Sequence, residues 1–255
     1  MITLKYDGTF KGLLCSIFYA FGRRQDEFNI QHKNINQNSL WGQDITITTE
    51  THKAHRVLEG LKKTVGSGGV SILYRSFLSE EQGIENDILH ALKSIYTSGP
   101  ESIKDHTDPQ ILRLHKVVKM VNRERHRMEA FVRFRLTKDE VYFASIEPDF
   151  DVLPLIKKHF HSRYADQRWL IYDMKRDYGL YYDLNKVERM QMTFESNFDA
   201  TKTSDHIFTL EEIAFQELWK EYFSSTNIAS RKNTVLHVRH VPKRYWKYLS
   251  EKQAV

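Results

Sequence analysis

Arginines recur through the middle of the chain, at positions 123, 125, 127, 133 and 135. The guanidinium fork matches the geometry of phosphate oxygens, so this run predicts contact with a nucleic-acid backbone. The four arginines that we assign to such contacts are Arg125, Arg127, Arg133 and Arg135. The alternative is a solvated cationic face whose arginines pair with Asp and Glu of the same chain.

Aromatic residues are mixed with cations further along, between residues 163 and 182. This mixture is typical of surfaces that stack bases while neutralising phosphates. The candidate contacts here are Arg163, Tyr172, Lys175 and Arg176. Strand alternation predicts that Trp169 and Ile171 face the core and that Tyr172 faces outward. The alternative is that most of these aromatics pack in the core.

A second basic segment lies near the C-terminus, from Arg231 and Lys232 to Lys247, and holds no acidic residue. Within it we expect Lys243 and Arg244 to contact nucleic acid. The net charge of +5 and the pI of about 9.1 are a mild excess, which by itself decides little.

The sequence supports catalytic residues less clearly than contacts with nucleic acid. Asp149 and Asp173 follow apparent strand ends and, with His126, would supply acid–base chemistry if they converged. Turns also favour Asp for local hydrogen bonding. Cys15 is the only cysteine, so this chain alone builds no disulfide, thiolate zinc site or iron–sulfur cluster. We therefore expect no metal and no cofactor.

The elements that must position these residues form an α+β pattern. An N-terminal strand-and-helix region covers residues 1–125, with Asp7-Gly8-Thr9 capping a helix over 10–21, a strand over 44–49 and Thr51 capping a further helix. The Gly66–Gly69 stretch ends or hinges that helix. Helices over 70–78, 84–96 and 110–127 follow.

A mostly antiparallel sheet with packed helices and a basic tail covers residues 126–255, unless the two regions form one continuous globule. The residues Thr137–Asp139 predict the turn of a β-hairpin. Phe131 and Phe134 precede this turn, and their apolar pattern places them in the first strand of the hairpin. A helix over 152–163, strands over 169–172, 180–182 and 187–194, an amphipathic helix over 210–223 and a short helix after Pro242 complete the pattern. The N-terminus lacks the features of a signal peptide and no apolar run spans a bilayer, so we expect a cytoplasmic protein without a membrane segment.

Several strings resemble an uncharacterised bacterial family described as DNA-metabolism or DNA-repair proteins. They are His126–Phe134, Ile146–Phe150, His159-Phe160 with Arg163-Tyr164, Trp169–Asp173 with Lys175-Arg176, Val241–Trp246, Tyr6–Phe10 and Arg56–Leu61. The resemblance implies an association with a radical-SAM protein of DNA modification or repair. It also implies a C-terminal domain that occurs joined to uracil-DNA-glycosylase-like domains. It supplies no catalytic residues.

These observations leave three hypotheses. The first is an accessory protein of DNA repair or modification that binds DNA or docks to the radical-SAM partner. In this hypothesis the partner would catalyse the reaction. The second is an enzyme acting directly on DNA. The third is a protein-interaction adaptor, because Tyr, Trp and Arg also dominate protein interfaces.

Overall fold

The computed structural model describes residues 2–23, 27–35, 43–194, 198–226 and 233–252. Arg231 and Lys232, predicted as part of the basic tail, lie outside the described residues. The chain divides into two compact units, Met1–Asn122 and Arg123–Val255. Both combine helices with a sheet, so the α+β class is confirmed.

The first unit contains a parallel three-stranded sheet in the order β2-β1-β3. Its elements are β1 (Ile2–Tyr6), α1 (Phe10–Gly22), β2 (Phe28–His32), β3 (Gln43–Thr46), α2 (Thr51–Phe77), α3 (Ile84–Ser98), a 3₁₀ helix (Pro100–Lys104) and the start of α4 (Pro109–Phe131). In the sheet Leu4 of β1 lies between Ile30 and Ile45. Leu4 and Ile30 are buried, and apolar burial of this kind is the main stabilising term of such a layer.

Helix α1 begins as the sequence predicts, because Thr9 is its N-cap and accepts a hydrogen bond from the Gly12 N–H at 3.0 Å. Asp7 holds the turn by accepting from the Thr9 N–H at 2.9 Å. For α2 the cap prediction is wrong: Glu50 is the N-cap residue, and Thr51 is already helical. The expected hinge is a kink at Gly66, whose φ of 67° interrupts a helix that continues to Phe77.

The second unit contains a five-stranded sheet in the order β4-β5-β6-β7-β8. Its elements are the end of α4, β4 (Arg135–Leu136), β5 (Tyr142–Ile146), α5 (Leu153–Arg163), β6 (Trp169–Asp173), β7 (Tyr178–Tyr182), β8 (Val187–Met190), α6 (Leu210–Thr226), α7 (Thr234–His240) and two 3₁₀ helices (Lys243–Tyr248 and Ser250–Lys252). The sheet is mixed, because β5 and β6 are parallel while the other pairs are antiparallel. Helix α5 supplies the crossover that a parallel pair requires.

The β4–β5 hairpin confirms the expected turn after Thr137, but its first strand is shorter than predicted. Phe131 is the last residue of α4, and Phe134 lies in the connection to β4. Phe134 packs against Phe160 and Trp169 instead, with ring centroids 5.7 and 6.5 Å apart. Apolar packing against α5 therefore overrides the strand pattern.

The prediction that Tyr172 faces outward is wrong, because all five residues of the central strand β6 are buried. Trp169 packs against Phe160 of α5 on one face of the sheet. On the other face Leu170 and Tyr172 form a core cluster with Phe143 and Phe208. The alternation of side chains is present, but both faces of the strand are covered.

Among the residues that the structure describes, no helix is long and apolar enough to cross a membrane.

Candidate nucleic-acid interface

The loop between β5 and α5, residues 147–151, is the point where distant segments of the second unit meet. Its backbone carbonyls accept hydrogen bonds from the turn after β6, with Arg176 donating to Pro148 at 3.1 Å and to Asp149 at 3.0 Å. Its carboxylates bind the C-terminal 3₁₀ helix. We call residues 147–151, together with the residues that form hydrogen bonds or ion pairs with them, the 147–151 cluster.

Asp149 connects three segments through different atoms. Its N–H donates to Glu124 Oε1 at 3.0 Å, and its carbonyl oxygen accepts from Lys175 Nζ at 3.3 Å. Its carboxylate lies 2.6 Å from the Arg244 guanidinium. Both side chains of this last pair are close to half exposed, so the pair faces solvent.

Glu124 is the buried centre of the cluster, with a side chain 2% exposed. One carboxylate oxygen accepts from the Asp149 N–H and from the Tyr245 hydroxyl. The other lies 3.5 Å from both Arg127 and Arg244. Burial, followed by the contact with Glu124, raises the pKa of Tyr245, so its hydroxyl keeps its proton even well above neutral pH.

Asp173 and Arg176 form a buried ion pair at the turn between β6 and β7. Their side chains are 0% and 8% exposed, and the closest atoms are 2.9 Å apart. The second Asp173 oxygen accepts from the N–H groups of Lys175 and Arg176, as a turn carboxylate does. Burial raises the pKa of Asp173, and the neighbouring Arg176 opposes that shift.

Glu147 binds the C-terminal 3₁₀ helix through Lys247 and through the Tyr248 hydroxyl, which donates at 2.9 Å. The hydrogen bond from Lys247 is the main cause of a lowered pKa at Glu147. At the other end of the loop, Tyr178 donates to Asp151. Each end of the loop is therefore held by a tyrosine from another segment.

The cluster presents cations to solvent. Lys175, Lys243, Arg244 and Lys247 are all exposed. Lys243 lies over the Trp246 ring, with its ammonium 5.9 Å from the ring centroid. Arg127 and Arg176 have side chains only 18% and 8% exposed and serve the interior of the cluster.

Arg133 and Arg135 belong to a different part of the unit. Arg133 pairs with the buried Glu251 at 2.8 Å. Arg135 is buried, donates to the carbonyl oxygens of Lys202 and Ala200 at 2.7 Å, and lies over the Phe208 ring. Burial lowers the pKa of Arg135 to about 10. Both arginines hold internal contacts.

The remaining predicted residues are dispersed. Arg125 and His126 lie on α4 next to Glu129, at 3.6 and 3.1 Å. Arg163 is exposed at the end of α5 and makes no hydrogen bond or ion pair with a described residue. Tyr172 is fully buried and donates to Asp177 at 2.6 Å, so its ring offers no stacking surface.

The catalytic candidates do not converge on one point. The Asp149 carboxylate points to Arg244, the Asp173 carboxylate is enclosed by its own turn, and His126 contacts Glu129. Within the described part of the chain, no three His, Cys, Asp or Glu side chains group as metal ligands would. The arrangement fits a positively charged recognition surface better than an acid–base pair.

Sequence reasoning missed Glu124, Tyr245 and Glu251, which organise these contacts. The available signal was weak: Glu124 is one acid among the arginines of α4, and Glu251 follows the basic tail. Helix periodicity gives one indication that Glu124 is buried. Glu124 lies three residues after Val121, which is buried, and residues three apart share one face of a helix.

A comparison with protein families matches residues 82–251, about two thirds of the chain, to DUF4130, a domain of unknown function. The chain belongs to this family. The DUF4130 region includes the whole 147–151 cluster, α6 and the 3₁₀ helix Lys243–Tyr248. No curated protein matches the sequence.

Proposed function

We propose that the protein is an accessory factor of DNA repair or modification that binds nucleic acid through the exposed cations of the 147–151 cluster. The observation that carries this proposal is the convergence of Lys175, Arg244 and Lys247 on one loop. They come from segments that lie some seventy residues apart in sequence, yet they share one exposed surface.

The chemistry of the surface favours a phosphate backbone over a single base. Lysine and arginine side chains at an exposed surface neutralise phosphates without reading sequence. Carboxylates at the base of the cluster, Glu124, Glu147 and Asp149, hold the cations in place. Because nearby carboxylates offset much of the charge, we expect weak binding with a low sequence preference.

The proposal includes a catalytic partner. The resemblance stated above associates the family with a radical-SAM protein of DNA modification or repair, and a lone buried Cys15 leaves such chemistry to that partner. In this arrangement the chain presents DNA, and the radical-SAM protein reacts with it.

The test compares two double variants of equal charge in a DNA-binding titration. Lys175→Gln removes an exposed cation of the cluster, and Lys243→Gln removes the exposed cation next to Arg244 in the same 3₁₀ helix. Lys138→Gln with Lys158→Gln removes two exposed cations that make no side-chain hydrogen bond or ion pair with a described residue. Fluorescence anisotropy with labelled single-stranded and double-stranded DNA, at several salt concentrations, measures affinity and salt slope.

We expect the cluster variant to weaken binding several-fold and to lower the salt slope by about two, because each phosphate contact contributes about 0.9. The control variant keeps the wild-type slope. Equal effects of the two variants, or no binding by the wild type at low salt, would contradict the proposal. Circular dichroism and the melting temperature establish that both variants fold.

A further inference from the structure

Helix α6 carries a row of exposed large apolar side chains. Phe215, Leu218, Trp219 and Tyr222 are 65%, 59%, 44% and 58% exposed. Their spacing of i, i+3, i+4 and i+7 places them on one helical face. We call them the α6 stripe. Monomeric proteins rarely expose such a contiguous apolar row without a use for it.

Hydrogen bonds fix helix α6 to its own unit, so the stripe lies on an anchored helix. Glu212 accepts a hydrogen bond from the Leu136 N–H at 3.1 Å, and Thr209 caps the helix by accepting from the Glu212 N–H at 3.1 Å. Trp219 donates to Glu251 at 3.4 Å. The Trp219 and Tyr222 rings stack with centroids 5.7 Å apart. Trp219 thus joins the stripe to its own unit, while Phe215, Leu218 and Tyr222 are the stripe side chains most open to solvent.

The first unit holds a groove of the complementary kind. Helices α1, α2 and α3 line an open groove of about 790 Å³, and most of the lining is apolar or aromatic. It includes Phe18, Phe21, Val57 and Tyr96, and the Phe21 and Tyr96 rings meet edge to face at 5.1 Å. This volume lies within the range of sites that bind ligands or helix side chains. We call it the α1–α3 groove.

The charges around the groove and the stripe are opposite. Arg23 and Lys93 line the groove, and Arg56 lies over the Phe18 ring, 5.8 Å from its centroid. None of these three cations forms an ion pair with a described residue, and no carboxylate is among the residues of the groove wall that the structure describes. The sequence of α6 holds four glutamates and one lysine. Glu217 and Glu221 are exposed beside the stripe.

We propose that the α6 stripe of one copy of this chain inserts into the α1–α3 groove of a second copy. An amphipathic helix in an apolar groove is an established mode of recognition, with anchors at the spacing seen here. Each copy carries one stripe and one groove, and a reciprocal pairing of two copies leaves no stripe or groove open for further growth. The inference is independent of nucleic-acid binding.

The first measurement is the oligomeric state by sedimentation velocity over a dilution series from about 1 to 100 μM. We expect a mass of twice the chain at the upper end and dissociation on dilution. The helix variant Phe215→Ser with Leu218→Ser, and the groove variant Arg56→Glu with Lys93→Glu, should each raise the dissociation constant by at least about tenfold, as loss of anchor contacts does.

Two controls match these variants. Val235→Ser with Leu236→Ser removes exposed apolar side chains from α7, and Lys138→Glu with Lys158→Glu reverses two exposed charges outside the groove wall. Neither should change the dissociation constant. All substituted positions are exposed, and circular dichroism verifies folding.

A charge exchange identifies the pair of surfaces. Glu217→Lys with Glu221→Lys should weaken the dimer, and adding Arg56→Glu with Lys93→Glu to the same chain should restore it at least in part. A monomer at every concentration would overturn the proposal. So would a dimer that only the helix variant dissociates, because the stripe would then bind another surface or another protein. Failure of the charge exchange to restore association would overturn the assigned pairing.

Discussion

Glu124 shows how one buried carboxylate organises a cationic cluster. It accepts from the Asp149 N–H and the Tyr245 hydroxyl and lies near two guanidinium groups. A buried carboxylate with this many partners is costly to remove, because each partner is left without its acceptor. The arginines that the sequence suggested for DNA therefore serve partly to neutralise this group.

Removing the Glu124 carboxylate is expected to destabilise the second unit. Glu124→Ala should lower the free energy of unfolding by about 2–4 kcal/mol, since it leaves a buried hydroxyl and a backbone N–H unsatisfied. Urea unfolding monitored by circular dichroism measures this. Glu140→Ala is the control: Glu140 pairs with Arg168 but is 84% exposed, so no measurable loss is expected. Equal stabilities of the two variants would contradict the role assigned to Glu124.

The ion pair between Arg133 and Glu251 should make the stability of the fold depend on pH. Burial alone raises the pKa of Glu251, but the hydrogen bond from Arg133 and smaller contributions outweigh it and leave the pKa below its ordinary 4.5. A carboxyl with a lowered pKa in the folded state adds stability above its unfolded pKa and loses it as pH falls through the folded value.

Arg133→Ala should therefore cost about 1–3 kcal/mol at pH 7, and this difference from the wild type should shrink as pH falls below about 4.5. Unfolding free energies measured from pH 7 to pH 3 give the profile. Arg168→Ala, which removes an exposed ion pair, should show a difference near zero throughout. A difference for Arg133→Ala that stays constant with pH would mean that the ion pair is not its cause.

Among the elements, α2 depends on one glycine. Gly66 has φ of 67° and ψ of −178° inside a helix that continues on both sides. Only glycine occupies this region without strain, so the kink is a property of that residue. Gly68, two residues later, has helical geometry, and a Cβ there would meet nothing within 4 Å.

The two glycines form a matched pair for substitution. Gly66→Ala should destabilise the protein by about 1–3 kcal/mol, because an L side chain is strained at this φ and ψ. Gly68→Ala should stabilise it by about 0.5–1 kcal/mol by restricting the unfolded chain. Thermal unfolding of both variants measures the difference. Opposite signs are expected, and a neutral Gly66→Ala would show that the kink is dispensable.

At the scale of the whole molecule, the net charge and the cations of the proposed interface predict different salt dependences of DNA binding. The net charge of +5 is spread over the chain, whereas the proposed interface has four exposed cations, Lys175, Lys243, Arg244 and Lys247. If these four make the phosphate contacts, the slope of log affinity against log salt for double-stranded DNA should be about −3 to −4.

Anisotropy titrations of the wild type at low to moderate salt measure that slope. A much steeper value would mean that cations beyond the cluster take part. A slope near zero would exclude phosphate contacts as the source of binding.

Local sequence patterns determined most of the elements of this protein. Asp7-Gly8-Thr9 predicted the start of α1, an amphipathic pattern predicted α6, and the residues Thr137–Asp139 predicted the β4–β5 hairpin. These features depend on residues a few positions apart, where capping and periodicity act directly.

Only the tertiary structure decided which charged residues share a surface. Arg133 and Arg135 are close in sequence to Arg127, yet they bind Glu251 and the backbone near Ala200, while Arg127 joins Glu124. The burial of Tyr172 likewise depends on segments that cover both faces of β6. Ion pairing and burial depend on partners that lie tens of residues away in sequence. Local sequence patterns do not show which of these distant segments come into contact.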